Sequence, residues 1–269
     1  MIELIGFENQ INLLLNNYKS KNLHSSIILH GSKGIGKKLF INKFISEIFK
    51  INYKNNNYLH HLNLLNNNTH PNIKIIEKKI DQKSKKIKSN ITIDQIRNLK
   101  SFINESTSIK NLSKFIIIDC ADDLNINSAN SFLKTLEEPN KNTFIFLISH
   151  QLSNLLPTIR SRCLKIKFNQ HCFNNFKLII KNHIKNISED ETRFYYDLTY
   201  GSPGIAITLY DDNILNILDL TFKSLDSNNI DKNCIELVNI LSKLENEKFK
   251  SYLSILKSIL INLNKLKIN

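Results

Sequence analysis

Five short apolar runs, at residues 26–30, 73–76, 115–118, 144–148 and 164–168, alternate with stretches of helical periodicity, and this alternation restricts what the chain can fold into. Several runs are continuous: Phe115-Ile116-Ile117-Ile118 and Phe144-Ile145-Phe146-Leu147-Ile148 offer apolar side chains to both sides. Strands of that kind are covered on both faces, so the fold class is α/β with a mainly parallel sheet. Helices are expected over 37–49, 94–104, 128–136 and 153–160. Thr92-Ile93-Asp94-Gln95 has capping-box spacing before the second, and Asn127 is placed to cap the third. Residues 52–70 and 78–90, rich in Asn and Lys, read as solvated loops. Beyond Phe168 the strand pattern stops. A small helical unit at 169–212 contains Gly201-Ser202-Pro203-Gly204, and 213–269 reads as all helical. There Tyr252, Leu253, Leu256, Ile259, Leu260 and Leu263 repeat at three and four, which predicts one buried stripe. The expected modules are therefore 1–168, 169–212 and 213–269.

Composition narrows the function classes. With 269 residues, 41% hydrophobic, the chain can build real cores and is neither a disordered tail nor a disulfide miniprotein. Cys120, Cys163, Cys172 and Cys234 form no CxxC pair, so neither a metal site nor a disulfide framework is indicated. No secretory signal pattern is present, and the late apolar run at 251–263 is broken by Lys257, so a cytoplasmic protein without a membrane span is expected. Of 37 basic residues only four are Arg, beside three Ala, one Val and about 40 Asn. That bias is what drift toward A/T-rich codons produces, so the net charge of +13 is not by itself a nucleic-acid footprint. The rare residue types carry more information per occurrence.

Half of the six glycines fall in Gly31-Ser32-Lys33-Gly34-Ile35-Gly36-Lys37-Lys38, between a strand and a helix. This is the context of a phosphate-binding loop. Gly31, Gly34 and Gly36 let backbone amides turn around phosphate oxygens, and Lys37 reaches the β/γ-phosphates. Two readings follow: a site for ATP or ADP, or a retained tight turn with no nucleotide. Position 38, where Ser or Thr would ligate magnesium, is Lys, which cannot coordinate a metal. Asp119 ends an apolar run as a magnesium-holding Asp does, but Cys120 stands where an active ATPase carries its Glu base. Asp122 and Asp123 read as caps of the next turn. Both losses point to a chain that does not hydrolyse ATP.

Two of the four arginines fall in Leu155-Leu156-Pro157-Thr158-Ile159-Arg160-Ser161-Arg162-Cys163. Retained guanidinium chemistry suggests bidentate contact with phosphate, the alternative being an internal salt bridge to an acidic segment. These motifs occur in order with Leu23-His24, His70-Pro71-Asn72, Ile91-Thr92-Ile93-Asp94-Gln95-Ile96-Arg97 and Asn127-Ser128-Ala129-Asn130-Ser131-Phe132-Leu133-Lys134-Thr135-Leu136-Glu137-Glu138-Pro139. In that order, over about residues 5–210, the chain resembles the AAA+ clamp-loader subunits of bacterial DNA polymerase III, most closely the delta-prime type. The resemblance implies an AAA+ P-loop module, a helical lid and a C-terminal helical collar, short here, that assembles into a five-subunit ring. It implies that Arg162 acts in trans as an arginine finger on a neighbour's ATP, with Arg160 a structural partner on the same loop. Its implied partners are ATPase and delta-type loader subunits, the sliding clamp indirectly, and primer-template DNA.

Where hydrolysing relatives carry a lid arginine, this chain reads Pro203-Gly204-Ile205, which favours delta-prime. Many delta-prime relatives hold a four-cysteine zinc module before the His-Pro segment. Residues 52–69 contain no cysteine, and His60-His61 lacks further ligands at spacing, so no zinc and no required cofactor are expected. The alternatives are an ATP-hydrolysing gamma/tau-like loader subunit and a basic DNA-binding module. For the latter the lysines are spread too evenly along the chain.

Overall fold

Continuous apolar runs become parallel strands because each strand must bury both of its faces. In a computed structural model, the described residues are 4–53, 56–80, 88–104, 109, 112–211, 214–224, 230–244, 248–249, 252–253, 255–257 and 259–260. The chain divides into two compact units, Met1–Asn169 and Gln170–Asn269.

The first unit is a five-stranded parallel sheet in the order β2-β3-β4-β1-β5, with β1 Ser26–His30, β2 Ile73–Ile76, β3 Lys114–Asp119, β4 Thr143–Ser149 and β5 Leu164–Lys167. Alternate side chains go to opposite faces. Ile27, Leu29, Phe115, Ile117, Phe146 and Ile148 join a core with α1 (Glu8–Lys19) and α2 (Lys37–Asn52). Ile28, Ile116, Ile118, Ile145 and Leu147 join another with α4 (Ile93–Asn104), α5 (Ile126–Glu137) and the one-turn α6 (Pro157–Arg160). The result is three layers, helix on sheet on helix. The edge strand β5 reads Leu-Lys-Ile-Lys and stays largely exposed, its lysines opposing edge-to-edge pairing. A buried Lys114 at the start of β3 turns its ammonium onto the carbonyls of Phe102 and Ile103, closing the C-terminal end of α4.

Several local expectations change. Within 52–70, read as loop, lies α3 (Asn56–Asn66), which buries His61, Leu62 and Leu65. Of 78–90, residues 81–87 lie outside the described residues. The cap of α5 is Asn125, two residues before Asn127; its Oδ1 accepts the Ser128 N–H at 2.8 Å. At α4 the Gln95 side chain accepts the Thr92 N–H, as the capping box requires. The helix expected over 153–160 splits into a 3₁₀ turn at Leu152–Asn154 and α6, because Pro157 starts a new helix at its first position.

The second unit holds α7 (Phe173–His183), α8 (Glu189–Leu198), α9 (Pro203–Asp211), α10 (Ile214–Ser224), α11 (Ile230–Leu241) and a helical stretch among the described residues of 252–260. One core joins Phe176, Ile180, Tyr195, Ala206 and Leu209 with Ile217, Leu218, Tyr252 and Ile255. The buried Tyr252 and Thr221 hydroxyls share a hydrogen bond of 2.7 Å. The stripe of the last helix is thus Tyr252, Ile255, Leu256 and Ile259; Leu253 and Leu260 face solvent, and Leu263 lies outside the described residues.

The His60-His61 pair also resolves differently. His60 is exposed, whereas His61 Nδ1 lies 3.1 Å from Nε2 of the buried His70, and His70 Nδ1 accepts the Asn72 N–H. A backbone N–H only donates, so His70 is neutral with its proton on Nε2, shared with His61. Burial pushes His70 down to about 4 and lowers His61 as well. The unfolded chain therefore binds more protons than the folded one between the ordinary histidine value near 6.5 and about 4. Stability contributed by this pair is complete above that window and is lost as pH falls through it. In urea unfolding, wild type is expected to lose up to about 2 kcal/mol between pH 6.5 and 5, and His70→Gln to flatten that slope.

Candidate functional site

Parallel pairing brings the C-terminal ends of β1, β3 and β4 to one edge of the sheet, where ligand sites of α/β folds form. The loop leaving β1 there carries Gly31, Gly34 and Gly36 at φ +151°, +78° and +99°. A Cβ on Gly31 would lie 2.3 Å from the Phe168 carbonyl oxygen, so the loop packs directly on the chain that leaves β5. Gly36 is the left-handed N-cap from which α2 begins, with no side-chain cap, and the first amides of a helix have no partner within it. The Lys37 side chain is buried, and its ammonium donates to the carbonyls of Gly31 (2.6 Å) and Ser32 (2.7 Å). Burial brings its pKa down to about 8, against the opposing pull of Cys120, Asp122 and Asp119. The sequence-expected loop residues are thus together, with Lys37 bonded to the loop itself.

Lys38 lies beside them. Its ammonium is 2.9 Å from Asp119 Oδ2 and 3.7 Å from Glu77 Oε2. Both positions that would flank a divalent cation, the side chain after the loop lysine and the strand-end Asp, are therefore joined to each other. The donor set does not fit magnesium.

Asp122 is not a simple cap. It sits in a 3₁₀ turn, Ala121–Asp123, and accepts the Ser149 hydroxyl at 2.8 Å, the His150 N–H at 2.5 Å and the Cys120 thiol at 3.1 Å. One carboxylate thereby ties the end of β3 to the end of β4. Burial, then the Asp122 contact, pushes the Cys120 thiol up to about 12, so it is protonated at neutral pH and donates; it cannot take a proton from water. Burial and Lys37 lower His150. Asp123 pairs with Lys78 at 3.1 Å. Cys120, Asp122 and His150 are the one grouping of three metal-type ligands among the described residues, with ligand atoms within 4.8 Å. Spacing along the chain did not reveal it, because only the β3–β4 register brings the two segments together.

On the other sequence-selected segment, Arg162 pairs with Glu137 at the end of α5. Its Nε donates to Glu137 Oε1 at 2.5 Å, its second terminal nitrogen contacts the same oxygen, and its first donates to the Thr158 carbonyl at 2.9 Å. The internal ion pair is thus present. Arg160 makes no hydrogen bond through its buried Nε, so a loop-partner role for it has no support from that atom.

A model of the family described as DNA polymerase III, delta subunit, matches residues 6–171, more than half of the chain. The chain belongs to that family. It is 39% identical over 102 residues to the DNA polymerase III subunit delta-prime of Pseudomonas aeruginosa, covering 38% of this chain and 29% of the relative. The delta-prime subunit of Buchnera aphidicola subsp. Acyrthosiphon pisum is 30% identical over 163 residues, covering 58% and 46%. A DNA polymerase III subunit gamma from Buchnera aphidicola subsp. Schizaphis graminum is 31% identical over 160 residues, covering 58% and 41%. The chain spans less than half the length of these relatives. A DNA polymerase III gamma subunit-related protein of Thermotoga maritima shares the fold at 20% identity and TM-score 0.52, over 90% of this chain and 76% of that one. Strand order, phosphate loop and this likeness make the fold AAA+. Among the described residues no helix is long and apolar enough to cross a membrane.

Gly31 and Gly36, two of the three loop glycines, differ in what a side chain meets. Gly31→Ala forces a methyl into the Phe168 carbonyl and is expected to cost about 3 kcal/mol in urea unfolding. Gly36→Ala meets no atom within 4 Å and carries only backbone strain, about 1 kcal/mol.

Proposed function

We propose that this chain is a delta-prime-type subunit of a DNA polymerase III clamp loader that does not hydrolyse ATP, braces the ring and lends Arg162 to the ATP of a neighbouring subunit. Family membership supports the assembly, and the observation that carries the non-hydrolysing role is the Lys38–Asp119 ion pair beside a protonated Cys120. A subunit built this way has neither a metal-holding pair nor a base to activate water. A guanidinium, by contrast, stabilises charge on a γ-phosphoryl group from across an interface. For that role Arg162 exchanges the Glu137 carboxylate for phosphate, two acceptors of the same planar donor. The partners are ATPase and delta-type loader subunits, with the sliding clamp and primer-template DNA engaged by the assembly, in the cytoplasm.

The test is reconstitution with the ATPase and delta-type subunits. In single-turnover hydrolysis stimulated by clamp and DNA, Arg162→Ala is expected to slow the ATP it faces by on the order of a thousandfold, and Arg162→Lys to recover little of it. Unchanged turnover would remove the trans role. The isolated chain is expected to turn over no more ATP than its Lys37→Ala variant; turnover above that level favours a gamma-type ATPase.

A further inference from the structure

The position after the loop lysine, and the Asp at the end of the neighbouring strand, hold a divalent cation between them in P-loop nucleotide sites. Here the side chain at that position is a lysine whose ammonium lies 2.9 Å from Asp119 Oδ2 and 3.7 Å from Glu77 Oε2. One fixed cation already faces both carboxylates. A dication entering the same space would meet the ammonium at close range and find its carboxylate engaged. The remaining elements of a polyphosphate site are present: left-handed glycines at Gly34 and Gly36, the start of a 16-residue helix, and a buried Lys37 whose ammonium donates to two loop carbonyls.

We propose that this loop is a metal-free polyphosphate site: it takes a nucleoside diphosphate or triphosphate without magnesium, and the Lys38 ammonium supplies the positive charge that the metal supplies elsewhere. On binding, Lys37 leaves the carbonyls of Gly31 and Ser32 for phosphate oxygens, while Lys38 stays bridged to Asp119 and turns its outer side to the terminal phosphate. Charge neutralisation is then built into the chain. No bond is made or broken.

The opposite responses of two protein forms to magnesium test this. Titration of the full chain with fluorescently labelled ADP is expected to saturate in EDTA. Magnesium in excess of nucleotide should weaken it by about tenfold, because the metal withdraws free nucleotide into a complex the site rejects. Binding that is unchanged or tightened by magnesium, or that is absent in EDTA, overturns the proposal, and this comparison needs no variant. Lys38→Thr restores a metal-binding hydroxyl and is expected to reverse the sign, binding more tightly with magnesium. Manganese used in its place should then give a relaxation signal at the protein that wild type lacks. A folded Lys38→Thr chain that keeps the wild-type response overturns the role of Lys38. None of these readouts involves Arg162 or a partner subunit, so their failure and failure of the loader reading are separate events.

Discussion

The loop after β1 and the Asp119 and Asp122 contacts depend on the strands running in one direction. His30 pairs with Ser149 and Asp119 with Ile148, so the residues that follow β1, β3 and β4 leave the sheet at the same edge and at nearly the same height. Parallel pairing of this kind is stable only when both faces are covered, and the alternating division of Ile27/Leu29 from Ile28, and of Phe115/Ile117 from Ile116/Ile118, supplies the two cores. Packing and site geometry are therefore one constraint. A residue slip in β3 would exchange its two apolar sets, which the sheet tolerates poorly, and would also move Asp119 away from Lys38.

Much of this was legible in the sequence, for physical reasons. Apolar runs flanked by polar residues located all five strands to within a residue at each end, and glycine scarcity made the loop conspicuous. What the sequence hid was either masked or long-range. Helix α3 buries His61, Leu62 and Leu65, a helical spacing in which a histidine and the intervening Asn63 disguise the apolar stripe. Asn125 and Asn127 have the same capping chemistry, and only backbone geometry chooses between them. The Asp122 contacts with Ser149 and His150 span 27 and 28 residues and follow from register alone. In the last helix the three-four repeat admits more than one stripe, and packing selects the one through Ile255.

The same distinction explains the arginine. Its rarity marked Arg162, while its partner Glu137 stood 25 residues earlier in another recognisable segment. Leu136-Glu137-Glu138 and Ser161-Arg162-Cys163 are two halves of one ion pair, so the segments that looked like separate signatures form a single structural element. Cys163, between that pair and β5, is buried in the same apolar core as Leu136.

The contact between Gly31 and Phe168 has an evolutionary consequence. The Phe168 ring packs on Phe7 and Phe40 at centroid distances of 4.7 and 4.9 Å, so the loop rests on an aromatic cluster that holds the first and second helices to the sheet. Selection for folding alone is then enough to keep glycine at position 31 in a lineage whose codons drift toward Asn and Lys. The first glycine of a phosphate loop is thus held by the packing of three phenylalanines as well as by any ligand of the loop.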